Sequence, residues 1–489
     1  MAKLILALLL IFLVAPVHTG QIKYVVSLML ENRSFDHYLG HLAKVNPEIN
    51  GLHGNETCVI DPADPSKGSY KVSFDAPDVM AFDPSHGVEP VTIQVFGSMT
   101  PVSPAPMNGF VKDSPAPKKD IMRCLNMSMT ASLSAIATEF ALFDHWYASV
   151  PGPTQPNRMF YQTGTSYGAT ADLPVSMIEG YPQRTIFDDI YESDKTFNIY
   201  YGDVPASLEL SRVRDYPLHI LEYGDFLTAA KEGKLPNFSY IEPRYYTFFG
   251  ANENDQHPPN SIIQGEFLIK QVYEAVRNSP QWNETLLLIT YDEHGGLYDH
   301  VSTPLKDVPN PDGKIGKDGF TFERLGVRVP TVAVSPLIKK GTIVHEPAVN
   351  HYDHTSMIAT VRKILDLKQP ALTKREAWAA TFEHLWEDNE PRTDCFTSVP
   401  LRENEEESYA KFEETERMPF VSSSLEQVAE GPKDLTPING LQMEMAKIAW
   451  SLTGGDTDLT KLKTAHDGAV YVRSQMKRWF DSKTGEGPQ

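Results

Sequence analysis

The residues with the clearest chemical potential stand together: Asp292, Glu293 and His294, followed by the pair Gly295 and Gly296. Two carboxylates and an imidazole in succession can hold a cation or move a proton. They follow the apolar residues 286–289 (LLLI), which predict a strand buried on both faces. In open, mostly parallel sheets, ligands sit in the crevice outside the carboxyl ends of the strands. The acid pair is therefore expected at such an edge. The same layout recurs near the start, where residues 22–30 (IKYVVSLML) predict a strand ending in Glu31 and Asn32. Two distant segments built alike predict one joint site.

Other residues are candidates to converge on it. His86 closes the turn Asp83-Pro-Ser-His86. Thr154 lies in VPGPTQPNR, where three prolines and a glycine within residues 151–157 predict a stiff turn. Helical sequence after Arg158 would set backbone N–H groups near that threonine, a cradle for an anion. Asp255 and His257 precede a predicted helix, and His354 opens another. Each also has a plainer reading as a turn, a connector or a helix cap. Together, Glu31, Asn32, His86, Thr154, Asp255, His257, Asp292, Glu293 and His354 make an oxygen-rich set with histidines. Such a set suits a divalent metal ion, whose identity and number stay open. A hydroxyl beside that cation can lose its proton and attack phosphorus, while histidines protonate the leaving oxygen or hold the phosphoryl oxygens. Metal-assisted phosphoester hydrolysis through a phospho-threonine is the simplest reading, with an unspecified metal hydrolase beside it.

The elements that must position these residues alternate along the chain. Strands are expected near 141–146 and at 196–201, 237–241 and 329–335, and helices at 129–140, 261–276 and 357–365. The alternation predicts an α/β sandwich with a mostly parallel central sheet over residues 21–385. Residues 46–120, rich in Pro, Gly, Asp and Ser, read as long surface loops. Residues 386–433 read as an acidic, loop-like linker. A small helical C-terminal region, 434–489, follows, with helices near 440–452 and 466–483; Trp479 and Phe480 are expected to pack it onto the rest rather than touch a membrane.

The chain of 489 residues has a formal net charge of −20, which argues against a nucleic-acid-binding face. Lys3, the eleven apolar residues 4–14, and a break near residue 20 predict a cleaved signal peptide over 1–20. Eleven residues are too few to span a bilayer, and no other run is longer, so a secreted or lumenal chain without a transmembrane segment is expected. Asn55, Asn126, Asn237 and Asn283 are candidate glycosylation sites. Asn32 also matches but is expected to stay bare inside the site. Cys58, Cys124 and Cys395 allow at most one disulfide.

Several blocks in one order, ENRSFDHYLG, VPGPTQPNR, NDQHPP, TYDEHGG and GVRVPTVAVSP, resemble the signatures of the phosphoesterase family, which holds bacterial phospholipases C, certain acid phosphatases and plant non-specific phospholipases C. DPSH with VTIQVFGS and NGFV, and less specifically the acidic tail and C-terminal helices, look like the plant type. The resemblance implies an alkaline-phosphatase-like α/β core that cleaves glycerophospholipids at a membrane surface to diacylglycerol and a phosphorylated head group. It implies Thr154 as nucleophile, and Glu31, Asn32, Asp292 and Glu293 as metal or phosphate ligands. It gives His86 and His257 contacts to the phosphoryl or leaving group, with Asp255 and His354 matching less closely. The turn DPSHGVEP departs from the plant pattern, which typically has a second acid before the histidine and Ser-Phe-Glu after it, and this bears on head-group preference. A secreted acid phosphatase acting on soluble monoesters, or an inactive lipid- or metal-binding relative, are the other readings.

Overall fold

A computed structural model describes residues 21–115, 117–172, 178–248, 250–386, 389–421, 433–455 and 457–485. The signal-peptide segment and part of the acidic linker lie outside the described residues. Eight strands form the central sheet: β1 (Tyr24–Leu30), β2 (Ala141–Phe143), β3 (Phe197–Tyr201), β4 (Ile220–Glu222), β5 (Phe238–Glu242), β6 (Thr285–Tyr291), β7 (Thr331–Val334) and β8 (Thr342–Val344). Their order across the sheet is β8-β2-β7-β6-β1-β5-β3-β4. Only β7 runs against its neighbours; every other pairing is parallel. Every residue of β6, and all of β1 after Tyr24, is buried, as a sheet covered on both faces requires. The expected α/β class with a mostly parallel sheet is thus what the chain adopts.

The helices that matter for the site are α1 (Val88–Phe96), α2 (Ala131–Glu139), α3 (Thr154–Thr163), α4 (Ile262–Arg277) and α5 (His354–Ile364). Ser261 caps α4, and Asp353 caps α5 by accepting from the Thr355 N–H at 3.0 Å. Three stretches differ from the sequence reading. Residues 46–120 are not all loop: α1 lies within them, its Pro90 tolerated in the first turn, where no intrahelical N–H is needed. The strand expected near 141–146 is broken, with Trp146–Tyr147 pairing instead with Tyr352–Asp353 in a separate two-stranded ladder. The stretch read as an acidic linker contains a helix, α6 (Glu406–Thr415), whose Tyr409 and Phe412 pack edge-on against Phe267 of α4. Its apolar residues are few but three apart, so they share one face, and glutamates in the first turn suit its positive end.

Helices α7 (Gly440–Leu452) and α8 (Ala465–Thr484) bury Met445, Ile448, Val472 and Met476. Trp479 is buried and Phe480 stacks on Tyr201 of β3 with ring centroids 6.2 Å apart, so this pair packs inward as expected. Cys58, Cys124 and Cys395 are all buried free thiols.

Candidate active site

Strands β1 and β6 are adjacent and parallel, with Leu30 opposite Tyr291, so Glu31 and Asp292 leave the sheet side by side. The turns are tied together there. The Asp292 N–H donates to the Leu30 carbonyl at 3.1 Å, and the Asn32 N–H to Asp292 Oδ1 at 2.9 Å. Asn32 sits at φ 54°, a left-handed conformation that asparagine tolerates. Gly295, at φ 63°, is required by close approach as well, since a Cβ there would lie 2.3 Å from the Asn32 carbonyl oxygen.

Thr154 is the first residue of α3, and the turn before it is held by one side chain. Asn157 Nδ2 donates to the carbonyls of Val150, Gly152 and Pro153, each at 3.1 Å. The Thr154 hydroxyl, buried, lies 3.2 Å from Glu31 Oε2 and 3.4 Å from Asn32 Oδ1. The expected anion cradle is partly spoken for, because the Gln155 N–H donates to Asp172 Oδ1 at 3.1 Å.

One turn further along α3 stands a residue the sequence reading passed over. Arg158 is fully buried, with Nη2 at 2.6 Å and Nε at 2.9 Å from Glu31 Oε1, and Nε at 3.7 Å from Asp292 Oδ2. It also donates to the Tyr240 hydroxyl and the Met29 carbonyl. Its signal was its spacing of four from Thr154, which puts both on one helix face. By taking Oε1, Arg158 turns Oε2 of Glu31 toward the threonine.

Two histidines complete the front of the site. His86 Nδ1 lies 2.7 Å from the Pro84 carbonyl, and its Nε2 3.4 Å from Asn32 Nδ2. His257 Nδ1 lies 2.6 Å from the Pro258 carbonyl, and its ring meets His86 edge-on, centroids 5.9 Å apart. Asp83 stands between them, 3.7 Å from His86 Nδ1 and 4.0 Å from His257 Nε2.

Asp255 and His354, expected to act on the reacting groups, are instead occupied behind them. The Asp255 carboxylate accepts from the His257 N–H at 2.7 Å and from Asn260 Nδ2 at 2.9 and 3.0 Å. Its carbonyl receives the Glu31 N–H. His354 Nε2 lies 2.5 Å from the Asp292 carbonyl, and the Trp146 indole donates toward Nδ1 at 3.4 Å. With both ring nitrogens engaged, His354 positions the turn that carries Asp292. His294 is engaged likewise, Nε2 to Gln94 Oε1 of α1 at 2.8 Å.

The charges strain against one another. Burial pushes Glu31 well above the ordinary glutamate range, Arg158 opposing and Asp292 adding to the rise. Burial pushes Glu293 up to about 8, with His86 opposing and Asp292 reinforcing. Burial alone would lower His86, yet the carboxylates of Glu293 and Asp83 outweigh it and hold that ring at about 9. His257 has no such excess and is lowered by burial to about 4. Among the described residues, the buried oxygens Asp292 Oδ2 and Glu293 Oε1 have no hydrogen-bond partner, Arg158 Nε standing 3.7 Å from the first. Buried carboxylate oxygens without a hydrogen bond cost free energy unless a cation meets them. The donor chemistry, carboxylates with an amide and a hydroxyl oxygen, fits a hard divalent cation.

Residues 22–368 match the Phosphoesterase family. The chain is 39% identical over 483 residues to non-specific phospholipase C1 of Arabidopsis thaliana, covering 95% of this chain and 86% of that one. It is 45% identical over 397 residues to non-specific phospholipase C6 of the same plant, covering 78% and 75%. Among solved structures, it matches a protein in the alkaline phosphatase superfamily from Vibrio parahaemolyticus at 12% identity and a TM-score of 0.34, covering 75% of this chain and 72% of that one.

Proposed function

Because this chain belongs to the Phosphoesterase family, as a phospholipase C, we propose that it cleaves glycerophospholipids through a covalent intermediate on Thr154. The observation that carries the reading is the buried Thr154 hydroxyl, 3.2 Å from a Glu31 carboxylate that Arg158 holds in place. In the first step the Thr154 oxygen bonds to phosphorus and the bond from phosphorus to the glycerol oxygen breaks. Glu31 Oε2 accepts the threonine proton, and the His86 cation gives one to the departing diacylglycerol. Water then attacks the phosphorus and gives its proton to neutral His257, and the bond from phosphorus to the Thr154 oxygen breaks. Glu31 returns its proton to that oxygen, the phosphorylated head group leaves, and passage of the His257 proton to His86 restores both rings. Glu31, Asn32, Asp292 and Glu293 would hold a divalent cation. Bound there, it would lower the pKa of the threonine hydroxyl and neutralise charge on the phosphoryl oxygens. Asp255, Arg158 and His354 keep these groups in register.

The two histidine pKa directions set a pH profile. A ring raised to about 9 stays protonated until pH climbs through that value, so the His86 acid is lost on the alkaline side. A ring lowered to about 4 stays neutral until pH falls through that value, so the His257 base is lost on the acid side. kcat/KM is expected to fall along both limbs. In His86→Gln the rate falls roughly a hundredfold and the alkaline limb disappears. An alkaline limb unchanged in that variant would remove His86 from the acid role.

The supporting experiment gives the purified mature protein phosphatidylcholine vesicles and, separately, a soluble phosphomonoester. Diacylglycerol release that stops with chelator supports the reading. Phosphate from the monoester alone would replace it with an acid-phosphatase activity, and no turnover of either would favour a binding protein. No helix among the described residues is long and apolar enough to cross a membrane. The N-terminal apolar run supports export through the secretory pathway. Asn55 and Asn283 are exposed and offer themselves to glycosylation. The amides of Asn126 and Asn237 donate instead to the carbonyls of Phe74 and Lys23.

A further inference from the structure

Three strands away from the catalytic turns, the same sheet edge carries a second group of ligand-type side chains. Strands β2 and β8 are parallel neighbours with Phe143 opposite Val344, so Asp144 and His345 leave the sheet side by side. Asp144 is fully buried. Its Oδ1 lies 2.8 Å from His145 Nδ1, and its Oδ2 2.9 Å from His345 Nδ1. The three ligand atoms lie within 4.8 Å of one another. A tetrahedral zinc site, with bonds of about 2.0–2.1 Å, needs ligand atoms on the order of 3.4 Å apart, so a small outward rotation of two rings suffices. The His345 side chain is 55% exposed and opens the group to solvent, which leaves room for water as a fourth ligand.

The surroundings are arranged as a metal site requires. The Asn50 N–H donates to Asp144 Oδ2 at 2.9 Å, fixing the carboxylate. His145 Nε2 lies 3.3 Å from Asn50 Nδ2 and 3.8 Å from Glu346 Oε2, and for a ring ligating through Nδ1 that carboxylate is the acceptor within reach of its other N–H. Glu346 is steadied in turn by His351 Nδ1 and by the Tyr147 hydroxyl. Arg328 donates to the Asp144 carbonyl at 2.7 Å, but its charge is matched by Asp36 and Asp299. Two imidazoles and one carboxylate favour zinc-type ions, whereas the oxygen set at the catalytic turns suits a harder cation.

We propose that Asp144, His145 and His345 bind a zinc-class divalent ion that clamps two loops behind the catalytic site. One loop runs from Asp144 to Thr154; the other runs from His345 to His354, the residue that holds the Asp292 carbonyl. The loops already pair through Trp146–Tyr147 and Tyr352–Asp353, and the ion ties their open end.

The test is zinc binding to the mature protein without a histidine tag, by equilibrium dialysis with metal analysis and by cobalt absorption. The wild type is expected to hold one zinc with tetrahedral cobalt bands and to gain thermal stability from it. In His345→Ala that site weakens at least a hundredfold, and in Glu346→Gln about tenfold. Asp292→Asn, at the catalytic turns, keeps it. Unchanged zinc affinity in His345→Ala, or zinc lost only in Asp292→Asn, overturns the proposal. Because the readout is binding, failure of the phospholipase reading leaves it standing.

Discussion

Thr154→Ala is expected to lower phospholipid turnover by roughly a thousandfold or more while the protein remains folded. The side chain removed is small and buried, and its hydroxyl makes only long contacts, 3.2 Å to Glu31 and 3.4 Å to Asn32. Losing them costs about 1 kcal/mol, a small shift of the melting midpoint in a chain of this size. The turn itself survives, because Asn157 and the flanking prolines hold it without the hydroxyl. Thr154→Ser restores an oxygen at the same place and should recover much of the rate. The decisive measurement pairs diacylglycerol release with circular dichroism on both variants. Alanine activity within tenfold of wild type, in a folded protein, would move the nucleophile elsewhere.

The largest stability effect is expected at Arg158. Replacing it by methionine keeps much of the volume but strips the buried Glu31 of its counter-charge, a change that costs about 3–5 kcal/mol. Burial already raises Glu31, and Arg158 is the group that opposes the rise. Without it, burial and Asp292 raise Glu31 unopposed by that charge, which weakens it as the acceptor of the Thr154 proton. Stability and turnover therefore fall together. The double variant Glu31→Gln, Arg158→Met separates the two effects. It removes both buried charges, so urea denaturation should show much of the stability regained, while turnover stays lost. A double variant no more stable than Arg158→Met would mean that the pair is not what Arg158 stabilises.

How far the sequence leads is clearest at the paired turns. The runs at 22–30 and 286–289 are apolar enough to be core strands, and each is followed at once by polar residues that cannot be core. That pattern alone predicted two strand ends at a common edge, and β1 and β6 are indeed neighbours in parallel register. The capped start of α5 was legible because a cap is a local interaction between residues two or three apart, whereas the cap of α4 is Ser261 and not Asp255, which the sequence had offered. The helix α6 was missed because its stability comes from Phe267, well over a hundred residues away, more than from its own composition.

The division of labour among the site residues followed a different rule. Sequence named His86, His257, His354 and His294 as imidazoles but could not rank them, since what distinguishes them is the partner of each ring. Tertiary contacts assign His354 to the Asp292 carbonyl and His294 to Gln94, while His86 and His257 meet edge-on, Nδ1 of each on a backbone carbonyl. They also split these two rings electrostatically, one raised by Glu293 and Asp83 and the other lowered by burial. The same holds for Arg158, whose charge matters only because the fold buries it against Glu31. By itself the sequence determined which strands form, where their polar ends lie and which residue types could do phosphoryl chemistry, because periodicity, caps and turns are short-range. Only the tertiary structure decided which of those groups meet, which are spent on backbone and which carry charge, because burial and Coulomb interaction depend on distances that chain order does not encode.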